Sequence, residues 1–105
     1  MPAWPTPEDE AELLRKLLDR QATATADLFV AFFQPLVEWL ASIHRHTDEA
    51  QRSDAATDAI APLLNSPESY KPERGKSLGS YLKMASTGDL KNLLDKERRR
   101  AARMN

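Results

Sequence analysis

The stretch Ser69-Tyr70-Lys71-Pro72-Glu73-Arg74-Gly75-Lys76-Ser77-Leu78-Gly79-Ser80-Tyr81-Leu82-Lys83-Met84 crowds two tyrosines, three lysines and an arginine into sixteen positions, in a chain whose formal net charge is only −1. The charge is divided along the chain. Residues 1–70 hold five basic and twelve acidic side chains, a net of −7, and residues 71–105 hold ten basic and four acidic, a net of +6. A lysine or arginine set against a phosphate releases condensed counterions, so the basic C-terminal third suits a polyanion. A solvated, frayed helical end is the other reading of the same charges.

Other chemistries find less support. His44-Arg45-His46 with Asp48 suggests metal ligands, but alternating residues on a helix point to different faces, and the chain has no third histidine and no cysteine. Asp54 and Asp58 are one helical turn apart, without a nucleophile or oxyanion site beside them. Gly75 and Gly79 lack the remaining spacing and the lysine of a phosphate-binding loop. The sequence therefore reads as a protein with no catalytic residues, no cofactor and no metal. The absence of cysteine removes disulfides and thiolate chemistry, and it is compatible with a reducing compartment.

Helices must position these residues. With three glycines and no sustained period-two alternation, nothing reads as strand. Thr6-Pro7-Glu8-Asp9 opens a first helix, with Thr6 as cap, Pro7 where no amide is needed and acids facing the dipole; the helix is expected to end near Gln21. A second helix carries the strongest apolar face, Leu28, Phe29, Phe32, Phe33, Leu36, Val37, Leu40 and Ile43. Thr23 or Thr25 caps it, and Pro35 within it predicts a kink or break, at a cost of about 3 kcal/mol in a regular helix interior. A third helix runs from about Thr47 or Asp48 to Asn65, burying Ala56, Ala59, Ile60, Leu63 and Leu64, with Pro62 interrupting its last turns. After a turn-rich loop, Ser77 caps a final helix that carries Leu78, Tyr81, Leu82, Ala85, Leu90, Leu93 and Leu94 and runs on into Lys96-Glu97-Arg98-Arg99-Arg100.

At 105 residues, 41% apolar and 30% charged, the chain fits one all-α domain, a bundle of three or four helices. Its longest apolar run is far shorter than a bilayer span, and its N-terminus lacks the basic start and apolar core of a signal peptide. The expectation is a cytoplasmic protein with no membrane partner.

The run Pro67-Glu68-Ser69-Tyr70-Lys71-Pro72-Glu73-Arg74-Gly75, then Ser77-Leu78 and Tyr81-Leu82, then Leu93-Leu94 before Glu97-Arg98-Arg99-Arg100, resembles region 2 of the sigma-70 family of RNA polymerase sigma factors. The likeness is to the small extracytoplasmic-function type. Leu28-Phe29 through Phe33-Gln34-Pro35-Leu36 is similar to the family's opening helix. The resemblance covers about residues 25–100, so the expected division is an N-terminal extension with a short helix at 1–24 and a sigma region 2-like helical domain at 25–105.

That resemblance implies a transcription initiation factor domain. It would bind core RNA polymerase at the β′ clamp helices, and recognise and melt the promoter −10 element by holding bases of the non-template single strand. A domain of that kind needs cations to follow the backbone and flat surfaces to receive extruded bases. The implied DNA contacts are Tyr70 and Tyr81 as stacking rings, Lys71, Arg74, Lys76, Lys83 and Lys91 at phosphates, and Ser86, Thr87 and Asn92 at base edges. Asp54 and Asp58 would keep part of the acidic polymerase-binding surface. An anti-sigma protein is a further partner of such domains. Second readings stand beside these: Tyr81 shares register with Leu78, Leu82 and Ala85 as a core ring, Tyr70 staples the loop, and Arg74 bridges Glu73 or Glu68.

The sequence departs from the family at Gly88, Asn92 and Asp95, where members usually carry Asn, Asp and Arg. The −35-reading domain has no counterpart after Asn105, and the expectation is an excised region 2, with a diverged short relative as the alternative. A different class of function is a helical protein–protein interaction module with no DNA role, dimeric in one form, resting on the apolar residues that surround more than one face of the second helix. Salt separates the two, since DNA binding weakens steeply with salt and an apolar interface does not.

Overall fold

Capping chemistry at three places sets where the helices begin. In the computed structural model, which describes residues 3–71 and 75–104, the Thr6 hydroxyl accepts the Asp9 amide at 3.1 Å and the Asp9 carboxylate accepts the Thr6 amide at 3.2 Å. This reciprocal box opens α1, Pro7–Leu18. The helix stops before Gln21. Arg20 takes a left-handed conformation (φ 57°), and the amides of Arg20 and Gln21 bond back to the carbonyls of Leu17 and Lys16, the pattern that closes a helix in a Schellman turn.

Helix α2, Ala24–Ile43, is uninterrupted. The expected break at Pro35 does not occur, and a comparison of magnitudes gives the reason. Leu28, Phe32, Leu36 and Leu40 lie on both sides of the proline in one stripe, each 0% exposed. Fully burying such a side chain contributes roughly 1.5–3 kcal/mol, so the stripe together outweighs the ~3 kcal/mol cost of an interior proline. Phe29 and Phe33, also expected on this face, are half-buried and stack on one another at 4.9 Å. Ile43 is 48% exposed at the helix end. Taken whole, α2 is long and apolar enough to cross a membrane, with a mean hydropathy of 1.4, a property that short apolar runs do not reveal. In this bundle its stripe is the surface on which the other helices pack.

Helix α3, Glu49–Asn65, is opened by a second box, Asp48 accepting the Gln51 amide at 2.8 Å while Gln51 accepts the Asp48 amide at 2.9 Å. It too runs through its proline, Pro62, with Leu63 buried beyond it. The small buried side chains Ala55, Ala56 and Ala59 bring α3 close to α4, Leu78–Met104, and these two helices share the most extensive contact in the fold. A 3-10 turn at Pro67–Ser69 follows α3. No strand occurs among the described residues.

The start of α4 has two caps. The Ser77 hydroxyl accepts the Ser80 amide at 3.1 Å. From α1, the Glu10 carboxylate accepts the amides of Leu78 and Gly79 at 3.1 and 2.9 Å. Residues 3–24 therefore pack on the bundle, and Leu17 joins its main core. At the other end, the amide of Gln51 donates to Glu97 at 2.6 Å, after which α4 projects with every described side chain from Asp95 to Arg103 exposed.

The seam between α3 and α4 holds one electrostatic cost. Burial, and then the negative charge of Asp58, push the Asp89 carboxyl above its ordinary range. The folded state thus holds the Asp89 proton more tightly than the unfolded chain does. Ionised Asp89 is a penalty that is complete above the folded pKa and vanishes below the unfolded value, about pH 4.

Two measurements check this account. Leu36→Ala is expected to lower the free energy of urea unfolding by about 2–5 kcal/mol, and a loss much below that would mean the stripe is not the central core. Asp89→Asn is expected to raise the melting temperature at pH 7, with the gain disappearing as the pH is lowered through the ordinary aspartate range. A gain that persists in acid would exclude the electrostatic cause.

Candidate nucleic-acid interface

At about 3.6 residues per turn, α4 divides lengthwise into two halves. Leu78, Leu82, Ser86 and Leu90 point inward and are buried. The outward half carries Ser80, Met84, Gly88, Lys91 and Asn92, all exposed, with half-buried Tyr81 at one edge and half-buried Lys83 and Thr87 toward the other. From Ser80 to Asn92 this half contains no carboxylate, because Asp89 faces the α3 seam. Gly88 leaves open space at its middle, since a Cβ built there meets nothing within 4 Å.

At the head of this half lies a cavity of about 200 Å³ walled by Ser69, Tyr70, Lys71, Lys76, Tyr81 and Met84. Its back wall is built by Tyr70. That ring is 9% exposed, meets Tyr81 edge-on at 5.6 Å, and its hydroxyl donates to the Lys76 carbonyl at 2.6 Å. Burial, and then the charge of Glu10, push the Tyr70 phenol up, keeping it a neutral donor. Tyr70 thus ties the residue after the 3-10 turn to Lys76, just before α4, and its burial leaves little of the ring to offer a base. Tyr81 keeps part of its ring open to the cavity. Lys71 and Lys76 are exposed at the rim, and the Lys76 ammonium rests on the Met84 thioether at 3.1 Å.

The remaining residues named from the sequence are placed as follows. Ser86 is 0% exposed and donates to the Lys83 carbonyl at 3.1 Å, so its hydroxyl cannot reach a base edge in this fold. The register explains this: Ser86 is one turn from both Leu82 and Leu90, on the buried stripe. Thr87 donates to the same carbonyl at 2.9 Å and stays half-exposed. Lys83 is held between two indoles, its ammonium 4.5 Å from the Trp4 ring centroid and 5.6 Å from that of Trp39. Lys91 and Asn92 are free on the surface of the helix. Arg74 lies outside the described residues. Asp54 and Asp58 are exposed on α3, away from the tyrosine cavity, and Asp89 adjoins Asp58.

Sequence reasoning did not single out Met84, Trp4 or Asp89, and it placed Trp39 with the apolar faces of the second helix rather than beside Lys83. Met84 had a legible signal, three residues from Tyr81 on the same helical face. Asp89 also had one, a charge four residues after Ala85 in an otherwise small or apolar register. Trp4 had none, because its contact with Lys83 joins distant parts of the chain.

Chemically, the arrangement offers an aromatic face, a soft thioether and ammonium groups around a concave space, followed by a cationic and amide-bearing helix surface. No group of three or more histidine, cysteine, aspartate or glutamate side chains is placed to hold a metal ion among the described residues. Comparison with family models, with curated proteins and with solved structures found no match to this chain.

Proposed function

We propose that this chain is a transcription initiation domain of the sigma region 2 type, which docks on core RNA polymerase through Asp54 and Asp58 and holds the non-template strand of the −10 element on α4. The observation that carries the reading is the cavity of Tyr81, Lys71, Lys76 and Met84 at the head of a carboxylate-free helix face bearing Lys83, Lys91 and Asn92.

In this mechanism an extruded base lies against Tyr81 and Met84, at about 1–3 kcal/mol per stacked base. Lys71 and Lys76 meet the phosphates flanking it, and Lys91 and Asn92 meet the next ones along the helix. Each base held single-stranded draws the duplex toward the open state, with no covalent step in this domain; bond formation belongs to the polymerase. Such a domain would work in the cytoplasm, and an anti-sigma protein would act by covering the outward half of α4.

A second reading, a helical interaction module without DNA, is favoured by one feature. An open groove of about 400 Å³ runs along α1, lined in part by Pro7, Ala11, Leu14 and Leu18, with Leu18 53% exposed.

Fluorescence anisotropy of the labelled chain titrated with bacterial core RNA polymerase, with and without a single-stranded −10-like oligonucleotide, tests the proposal. Saturable binding is expected, strengthened by the oligonucleotide and reduced by charge reversal at Asp54 and Asp58. Tyr81→Ala should weaken the oligonucleotide's contribution about 5- to 150-fold, and raising salt should lower its affinity by about 0.7 log units per decade for each phosphate contacted. No binding to core polymerase, together with self-association that holds or tightens in salt, would replace this reading with the interaction module.

A further inference from the structure

Lys83 is a candidate phosphate ligand whose ammonium the protein already holds against aromatic rings of its own. Its ammonium sits 4.5 Å from the centroid of the Trp4 ring, which leans on Phe32 at 6.4 Å. The ring lies against Gly79, where a Cβ would come within 3.4 Å of Trp4 Cε3, close contact without overlap. Trp4 precedes the Thr6 cap, so residues 3–5 can leave α4 without unwinding α1. One turn further on, the Glu10 carboxylate anchors α1 to the amides of Leu78 and Gly79. The N-terminal segment is thus held to α4 at two points, a strong one at Glu10 and a weaker, separable one at Trp4.

We infer that the Trp4 segment is an autoinhibitory strap: the indole and a nucleic-acid phosphate compete for the Lys83 ammonium, and binding of a strand along α4 requires the strap to lift. The inference rests on the reading that the outward half of α4 takes single-stranded DNA. A cation held over an indole face is stabilised electrostatically. A phosphate offers the same ammonium a full negative charge and releases counterions. The strap is therefore a threshold that a strand must exceed, and anything that captures the N-terminal segment lowers it.

The test is an anisotropy titration of a fluorescein-labelled 12-nucleotide single strand with the full chain, Trp4→Ala, Lys83→Ala and the double variant, each confirmed folded by circular dichroism. Trp4→Ala is expected to tighten binding about two- to fivefold at low salt, and the gain should be absent in the Lys83→Ala background. Because Trp4→Ala also removes a ring from the edge of the core, a second measurement uses the intact strap. In Trp39→Phe, Trp4 is the only tryptophan, and saturating oligonucleotide should shift its emission to the red and raise its quenching by acrylamide. Salt-sensitive DNA binding with no gain in Trp4→Ala and no change in Trp4 emission would overturn the strap while leaving the DNA reading intact. Absence of DNA binding by every variant, with and without core polymerase, would remove the reading and the strap together.

Discussion

The stripe of Leu28, Phe32, Leu36 and Leu40, at 0% exposure along α2, is the constraint from which the rest of the structure follows. A single helix that hides so much apolar surface cannot stand alone in water. It needs covering on several sides, and α1, α3 and α4 each pack against it. Its demand for burial is large enough to carry the backbone through Pro35 without a break. The cost of an interior proline is local, whereas the benefit is collected along both halves of the helix.

The candidate interface is a by-product of how α4 meets that core. Its inward half is spent on Leu78, Leu82 and Leu90, and the alanines of α3 let it lie close. The outward half is left free of packing duties, and there the lysines, Tyr81, Met84 and Asn92 collect. Tyr70 belongs to the core that shapes the cavity, and its hydroxyl bonds to the Lys76 carbonyl just before the helix. Support from one tyrosine, edge-on at 5.6 Å, gives the other a defined position.

Local chemistry was legible in the sequence, and long-range chemistry was not. Thr6, Asp48 and Ser77 announce helix starts through side-chain oxygens placed three residues before the amides they accept, and the structure uses all three. The apolar spacing of α2 and α3 identified most of the core. At Pro35, where a kink or break is expected, and at Pro62, where an interruption is, the helices run on without a break, because the local rule leaves out the burial on either side. Residue type suggests a base-edge role for Ser86, whereas its register with Leu82 and Leu90 places it inside. Glu10 at the start of α4 and Trp4 on Lys83 join positions more than sixty residues apart, and no periodicity within one element encodes such a meeting. The all-helical class was thus readable from pattern, while the roles of individual site residues depended on which half of a helix faced its neighbours.

The projecting end of α4 gives the molecule an electrical character that its net charge conceals. Ten residues from Asp95 onward rise by about 15 Å, farther than the Debye length of about 8 Å at physiological ionic strength, and they carry Lys96, Arg98, Arg99, Arg100 and Arg103. Ions in solution therefore screen the far end of this tip from the acidic first seventy residues, which its base still touches where Gln51 meets Glu97. A body of net charge −1 behaves as a long dipole with separately addressable poles. It approaches an anionic surface tip first, and its collision rate is set by ionic strength even though its overall charge is close to zero.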